Sequence, residues 1–230
     1  MSTAPSAPWS CILLDLDGTI ADSAPGIIGS LEHMFRELGR EVPSQESLLR
    51  WVGPPLLDAF RDFAGMTPAE SAEALIVYRR HYLDQGAAES VMFEGMPAVF
   101  HAIREEGVPL SLATSKPELP ASLIVEKFGL ADYFTVLAGA SADEVRSAKA
   151  DVIEEALRRL GELGVDLSNP VMVGDRKHDA EGAAAHGIPT IMVGWGYGPE
   201  EERALASAFA ETPADLIGLL FPHRAAAAAA

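Results

Sequence analysis

The chain has 230 residues, 48% hydrophobic and 22% charged, enough apolar content for a real core in one large domain or a domain carrying a smaller one. Its formal charge of −17 repels polyanions and argues against a nucleic-acid polymer or a membrane surface as partner. The lone cysteine, Cys11, excludes an internal disulfide and fits a reducing compartment. Residues Met1–Ser10 lack the basic-then-apolar pattern of a secretory leader, and no apolar run approaches membrane-spanning length. The expected home is the cytoplasm.

The first element, Cys11 to Leu14, is an apolar run with the length and content of a strand buried on both faces. Cys11 reads there as a small buried hydrophobe. The run stops at Asp15, with a second acid at Asp17 and a turn-forming Gly18. Two carboxylates at the end of a hydrophobic strand are costly to desolvate unless something positive sits between them.

A long helical stretch follows. Pro25 to Leu38 places Ile27, Leu31, Met34, Phe35 and Leu38 on one stripe, and Gly39 is a good stop. Ser44 caps a short helix through Leu48, Leu49 and Trp51, and another runs from Leu56 to Phe63. Thr67-Pro68-Ala69-Glu70 is a capping box, and its helix is expected to carry Leu75, Ile76, Tyr82 and Leu83 inward. This block is too small to be a convincing independent domain and reads as an insertion folded over something else.

From Met96 the rhythm changes to helix and strand in alternation. Helices are expected at Met96–Glu106 and Glu118–Phe128, from a cap at Ser147, and at Asp179–His186. Strands are expected at Val108–Ala113, Phe134–Ala138, Pro170–Val173 and Ile188–Val193. Alternation of this kind implies a doubly wound parallel sheet, Rossmann-like, with right-handed crossovers. The expected division is a discontinuous α/β core at 9–21 and 91–222, a helical cap at 22–90, and a low-complexity tail at 223–230.

In a parallel sheet the strand ends converge on one edge, bringing together Asp15, Asp17, Thr114, Ser115, Lys116, Lys149, Asp175 and Asp179. Converging acids repel by about 4 kcal/mol per close pair at an effective dielectric near 20. A hard divalent cation held by oxygens resolves the conflict, and Mg²⁺ needs only one or two direct carboxylates.

These residues carry a resemblance. Asp15-Leu16-Asp17-Gly18-Thr19, Thr114, Lys149 and Gly174-Asp175-Arg176-Lys177-His178-Asp179 are similar to the four ordered motifs of the haloacid dehalogenase superfamily, in its phosphoglycolate-phosphatase-like branch. The helical insertion resembles that family's cap. The resemblance implies that Asp15 is a nucleophile attacking phosphorus and that Asp17 is the general acid and base. It implies Mg²⁺ held by Asp15, Asp175, Asp179 and the backbone carbonyl of Asp17. Thr114 then bonds a phosphoryl oxygen, and Lys149 neutralises the transferring group. Gly18, Thr19, Ser115 and Lys116 are expected beside the substrate.

Lys116, followed by Pro117, competes with Lys149 for the cationic role, and Lys149 is preferred because it falls near a helix start. Lys127 and Lys177 read as solvated, and His178 and His186 as packing groups. Gly194 to Gly198 is equally a border of the substrate site or an ordinary glycine-rich loop leaving a strand. Arg79 is equally a substrate-facing residue or a surface ion-pair partner. The implied activity is a Mg²⁺-dependent phosphatase of a small phosphorylated metabolite, with phosphoglycolate leading. A 5′-nucleotidase and a sugar phosphomutase are the alternatives. The protein is expected to be a monomer or a homodimer.

Overall fold

A computed structural model describes residues 9–224. Strand β1 (Cys11–Leu14) has no solvent exposure at any residue, as its unbroken apolar run requires. Six strands lie in one parallel sheet: β4 (Leu110–Pro117), β5 (Val136–Ala140), β6 (Pro170–Gly174), β7 (Thr190–Val193) and β8 (Ala208–Ala210) accompany β1. Their order is β5-β4-β1-β6-β7-β8, with Ile12 paired to both Leu110 and Val171. Leaving the first strand on one side and returning on the other makes the sheet doubly wound, and it puts β1 at the centre.

Period-two alternation divides the core between the two faces. Ile12, Leu14, Leu112, Val171 and Val173 face one hydrophobic cluster. Cys11, Leu13, Ala113 and Met172 face another, covered by Val152, Ile153, Ala156 and Leu160 of the helix Lys149–Glu162.

Two short strands, β2 (Ala21–Asp22) and β3 (Val91–Met92), pair antiparallel and form the stem of the helical insertion. Between them lie α1 (Ala24–Glu37), α2 (Gln45–Leu49), α3 (Leu56–Ala64) and α4 (Pro68–Asp84). Ser44 and Thr67 accept the capping bonds their sequence context predicted. Trp51 holds the block together, edge-on to Phe35 at 5.7 Å and tilted on Phe60 at 5.9 Å.

In α4 the buried residues are Ser71, Ala74, Leu75, Tyr78 and Tyr82, a clean i, i+3/i+4 stripe. Ile76 and Leu83, expected inward, lie one position off that stripe and are exposed. Helices α5 (Met96–Glu106), α6 (Glu118–Lys127), α7 (Lys149–Glu162), α8 (Lys177–Ala184) and α9 (Pro213–Leu220) complete the described elements.

Other boundaries also move. β4 runs four residues past Ala113, and β5 starts two residues later than expected, at Val136. Ser147 caps nothing; Ala148 is the N-cap residue of α7, without a side-chain bond. β8 and α9 lie beyond the expected elements, and α9 opens on a complete capping box of Thr212 and Asp215 with Pro213 at its first turn. Lys127 is not left to solvent: its ammonium donates to the carbonyls of Ala88 and Ser90 at 2.7 Å each. His223 and Arg224, expected in the tail, both bond Glu106, while residues 225–230 lie outside the described range. No described helix is long and apolar enough to cross a membrane.

Candidate active site

Asp15 continues β1 by one residue, its amide donating to Val173 across the sheet. Its carboxylate is buried at the sheet edge, and Lys149, the first residue of α7, reaches it from the side. Lys149 Nζ lies 2.7 Å from Asp15 Oδ1, 2.7 Å from Asp179 Oδ1 and 3.0 Å from the carbonyl of Ala113. Burial pushes the Asp15 carboxyl up to about 6, with Lys149 pulling the other way. Burial alone would depress Lys149, but Asp15 and Asp179 hold it above the usual range.

Asp175 follows β6 and Asp179 sits in the first turn of α8. Asp179 Oδ2 accepts from the amide of Arg176 at 3.0 Å, so one residue caps the helix and faces the site. Asp175 Oδ2 accepts from the amide of Tyr197 at 2.6 Å. Burial, with Asp179 and Asp15 close by, raises Asp175 well above the ordinary carboxylate range.

One oxygen from each of Asp15, Asp175 and Asp179 falls within 4.8 Å of the others. Asp175 Oδ1 is buried with no hydrogen-bond partner. Three buried carboxylates with an unanswered oxygen fit a hard divalent cation, which takes oxygen donors. His178 and His186 are not among this trio; His186 Nε2 meets the carbonyl of Ala150 at 2.9 Å.

The Asp17 carboxylate points elsewhere. Lys116 Nζ donates to its Oδ2 at 2.8 Å and the Ser23 hydroxyl donates to its Oδ1 at 2.5 Å. The two lysines therefore divide the acids between them, Lys149 on Asp15 and Lys116 on Asp17. Thr114 is buried at the end of the regular β4 pairing, its hydroxyl accepting the Lys116 amide at 3.3 Å. The Ser115 hydroxyl is buried with no partner.

Of the two residues after Asp17, Gly18 lies against Asp175 and Thr19 against Trp195. Gly18 holds φ at +83°, and a Cβ there would lie 2.2 Å from Asp175 Oδ2, so glycine is what lets Asp175 approach. Thr19 has no solvent exposure, and its carbonyl accepts from Trp195 Nε1 at 3.0 Å.

The Gly194–Gly198 loop, for which the sequence leaves two readings open, packs against Asp175. A Cβ on Gly196 would meet Asp175 Cβ and the Gly18 carbonyl at 2.4 Å each. Tyr197 Oη accepts the amides of Ser23 and Ala24 and donates to Asp22 Oδ1 at 2.6 Å, tying the site to the start of α1. Glycines alternating with aromatics just past a core strand were the available signal.

The chain is similar to several proteins of named function. The tyrosine-protein kinase PtkA of Mycobacterium tuberculosis is 43% identical over 198 residues, 86% of this chain but 66% of that protein's length. A 5′-nucleotidase of Pseudomonas aeruginosa is 35% identical over 191 residues, 83% of this chain and 85% of the relative. A plasmid-borne phosphoglycolate phosphatase of Cupriavidus necator is 33% identical over 231 residues, 97% of this chain and 98% of the relative. Among solved structures, one described as a predicted phosphatase from Clostridium acetobutylicum superposes with a TM-score of 0.86 at 31% identity, covering 93% of this chain and 98% of that one. The model of the haloacid dehalogenase-like hydrolase family matches residues 12–193, a span that includes the acids of β1, β6 and α8 and both lysines. The chain belongs to the haloacid dehalogenase-like hydrolase family.

Proposed function

We propose that the protein is a Mg²⁺-dependent phosphatase that hydrolyses a small phosphomonoester in two steps through an aspartyl-phosphate on Asp15. The observation that carries this reading is Lys149 Nζ at 2.7 Å from Asp15 Oδ1, beside the oxygens of Asp175 and Asp179. A carboxylate so held has one oxygen fixed by a cation and the other free for attack.

In the first step an Asp15 oxygen bonds to phosphorus while the ester P–O bond breaks, and Asp17 gives a proton to the departing oxygen. In the second, Asp17 takes a proton from water as that water's oxygen bonds to phosphorus. The Asp15–phosphorus bond then breaks, freeing inorganic phosphate and the carboxylate. Lys149 offsets negative charge on the transferring group, with the Thr114 and Ser115 hydroxyls beside it. Asp15, Asp175, Asp179 and the backbone carbonyl of Asp17 would hold Mg²⁺, which neutralises charge shared by nucleophile and phosphate.

The cap is assigned to residues 22–90 and the core to 9–21 with 91–222, the β2–β3 stem marking the joint. A cytoplasmic, metabolite-handling role agrees with the single buried thiol of Cys11. A 5′-nucleotidase is the second reading, favoured by the Pseudomonas relative.

Phosphate release from a panel of small phosphoesters with Mg²⁺ tests the proposal. Asp15→Asn is expected to lower turnover by about 10³-fold or more while leaving the fold intact. Normal turnover in that variant removes Asp15 as nucleophile. A phosphomutase would release little phosphate and would require a sugar bisphosphate.

A further inference from the structure

Two cavities open between the cap helices and the sheet edge, and the unpartnered Ser115 hydroxyl belongs to a residue that lines both. The larger, of about 760 Å³, is bordered by Lys149, Arg176 and Lys177. The smaller, of about 220 Å³, is bordered by Asp17 and Lys116 on the core side and by Ile27, Trp51, Tyr78 and Tyr82 on the cap side. Lys149 touches only the first, and Asp17 only the second. On the reading above, Lys149 serves the transferring phosphoryl group and Asp17 protonates the departing oxygen. The alcohol half of the ester therefore extends into the smaller cavity.

The chemistry of that cavity selects what fits. Its four charged side chains are already paired, Lys116 with Asp17 at 2.8 Å and Arg79 with Glu144 in a tight contact. Arg79 also donates to the carbonyl of Ala142 at 3.0 Å, and the Glu144 side chain is only 5% exposed. No cation is left over for a substrate carboxylate, and an unpaired charge in such a place is strongly disfavoured. Tyr78 and Tyr82, stacked on one another at 5.5 Å, give the cavity an aromatic lining on the cap side, beside the apolar Ile27, Trp51 and Leu56. Leu83 of α4 and Leu119 of α6 stand exposed at its rim, from the cap and core sides respectively. A volume of 220 Å³ exceeds the about 150 Å³ that suffices for a benzene ring in an apolar protein cavity.

We infer that the preferred substrate is a phosphomonoester whose alcohol carries a flat, uncharged ring, rather than a short carboxylate-bearing alcohol such as glycolate. The inference rests on the phosphatase reading. Buried ring area is worth roughly 25 cal/mol per Å², and here it is gained against a lining of aromatic and aliphatic side chains.

Benzyl phosphate is the probe, because its alcohol is nearly as weakly acidic as an alkyl one, so a rate gain cannot be assigned to an easier leaving group. With Mg²⁺, kcat/KM for benzyl phosphate is expected to exceed that for phosphoglycolate by about tenfold or more, chiefly through KM. Leu119→Glu, at a residue 63% exposed and therefore safe for folding, should raise KM for benzyl phosphate about tenfold and that for phosphoglycolate much less. Preference for phosphoglycolate, or indifference to Leu119→Glu, overturns the inference and leaves the phosphatase intact. If no ester is hydrolysed, the phosphatase reading itself fails, and calorimetry with benzylphosphonate then judges the cavity alone. Binding tighter than that of phosphonoacetate keeps the ring assignment; equal or weaker binding ends it.

Discussion

Lys116 Nζ lies 2.8 Å from Asp17 Oδ2, and the two side chains are 5% and 9% exposed. The ammonium also sits 4.6 Å from the Tyr82 ring centroid, so a core lysine reaches the proposed acid and the cap together. Burial alone would lower the Lys116 pKa, yet Asp17 holds it above the ordinary lysine range. Removing one partner of such a pair leaves a buried charge uncompensated, at about 3–5 kcal/mol. Lys116→Met is expected to lower the urea midpoint accordingly and to cut turnover. An unchanged midpoint would mean that Ser23 alone satisfies Asp17.

Metal removal follows from the acid trio. Asp15, Asp175 and Asp179 are buried within one another's field, so a bound cation relieves repulsion in the native state only. Dialysis against EDTA should abolish turnover, and Mg²⁺ should restore it. At a hundredfold excess over its dissociation constant the ion should add about 2.7 kcal/mol of stability. Thermal unfolding with and without Mg²⁺ reads this directly, and Asp175→Asn should blunt the response. Full activity in excess EDTA contradicts the metal assignment.

Gly196 offers a steric test of how Asp175 is positioned. A Cβ there would stand 2.4 Å from Asp175 Cβ, Asp175 Oδ2 and the Gly18 carbonyl. Something must move, and the neighbours are a site carboxylate and backbone. Displacing a positioned group by about 1 Å costs about 10²-fold in rate. Gly196→Ala should therefore show that loss of turnover while its far-UV circular dichroism stays native. Wild-type rates would show that the Gly194–Gly198 loop yields without disturbing Asp175.

Cys11 supplies a pH dependence clear of the site. Burial lifts its thiol from 9.0 to about 11. A raised folded-state value means that the native chain prefers the neutral thiol. The stability this contributes is whole below pH 9 and is lost as pH rises toward 11. Thiol reagents at pH 8 should label the protein only as it unfolds in urea. Between pH 8 and 10.5 the wild-type urea midpoint should fall more than that of Cys11→Ala; equal falls would mean that Cys11 does not titrate differently in the native state.

Local chemistry determined a good deal by itself. An apolar run of four residues ending in Asp15 and Gly18 fits a buried strand with charge at its tip, because it is too short for a helix and stops at turn chemistry. Thr67 with Glu70 specifies a helix start because the reciprocal bonds are made within one turn. Alternating strand and helix patterns specify a parallel sheet, and a parallel sheet brings the acids after β1 and β6 to one edge. Which lysine meets which acid was decided only in three dimensions. Both lysines are candidates for the cationic role in the sequence, but β4 continues to Pro117 and turns Lys116 toward Asp17, whereas α7 begins at Lys149 and aims it at Asp15. The two readings of the Gly194–Gly198 loop are undecided in the sequence for the same reason: its fit against Asp175 and Gly18 depends on contacts across some 20 and 180 residues, beyond the reach of any local pattern. The smaller cavity, lined by Ile27, Trp51 and Tyr78 of the insertion and by Ser115, Pro117 and Leu119 of the core, likewise exists only once the insertion has folded back over the sheet.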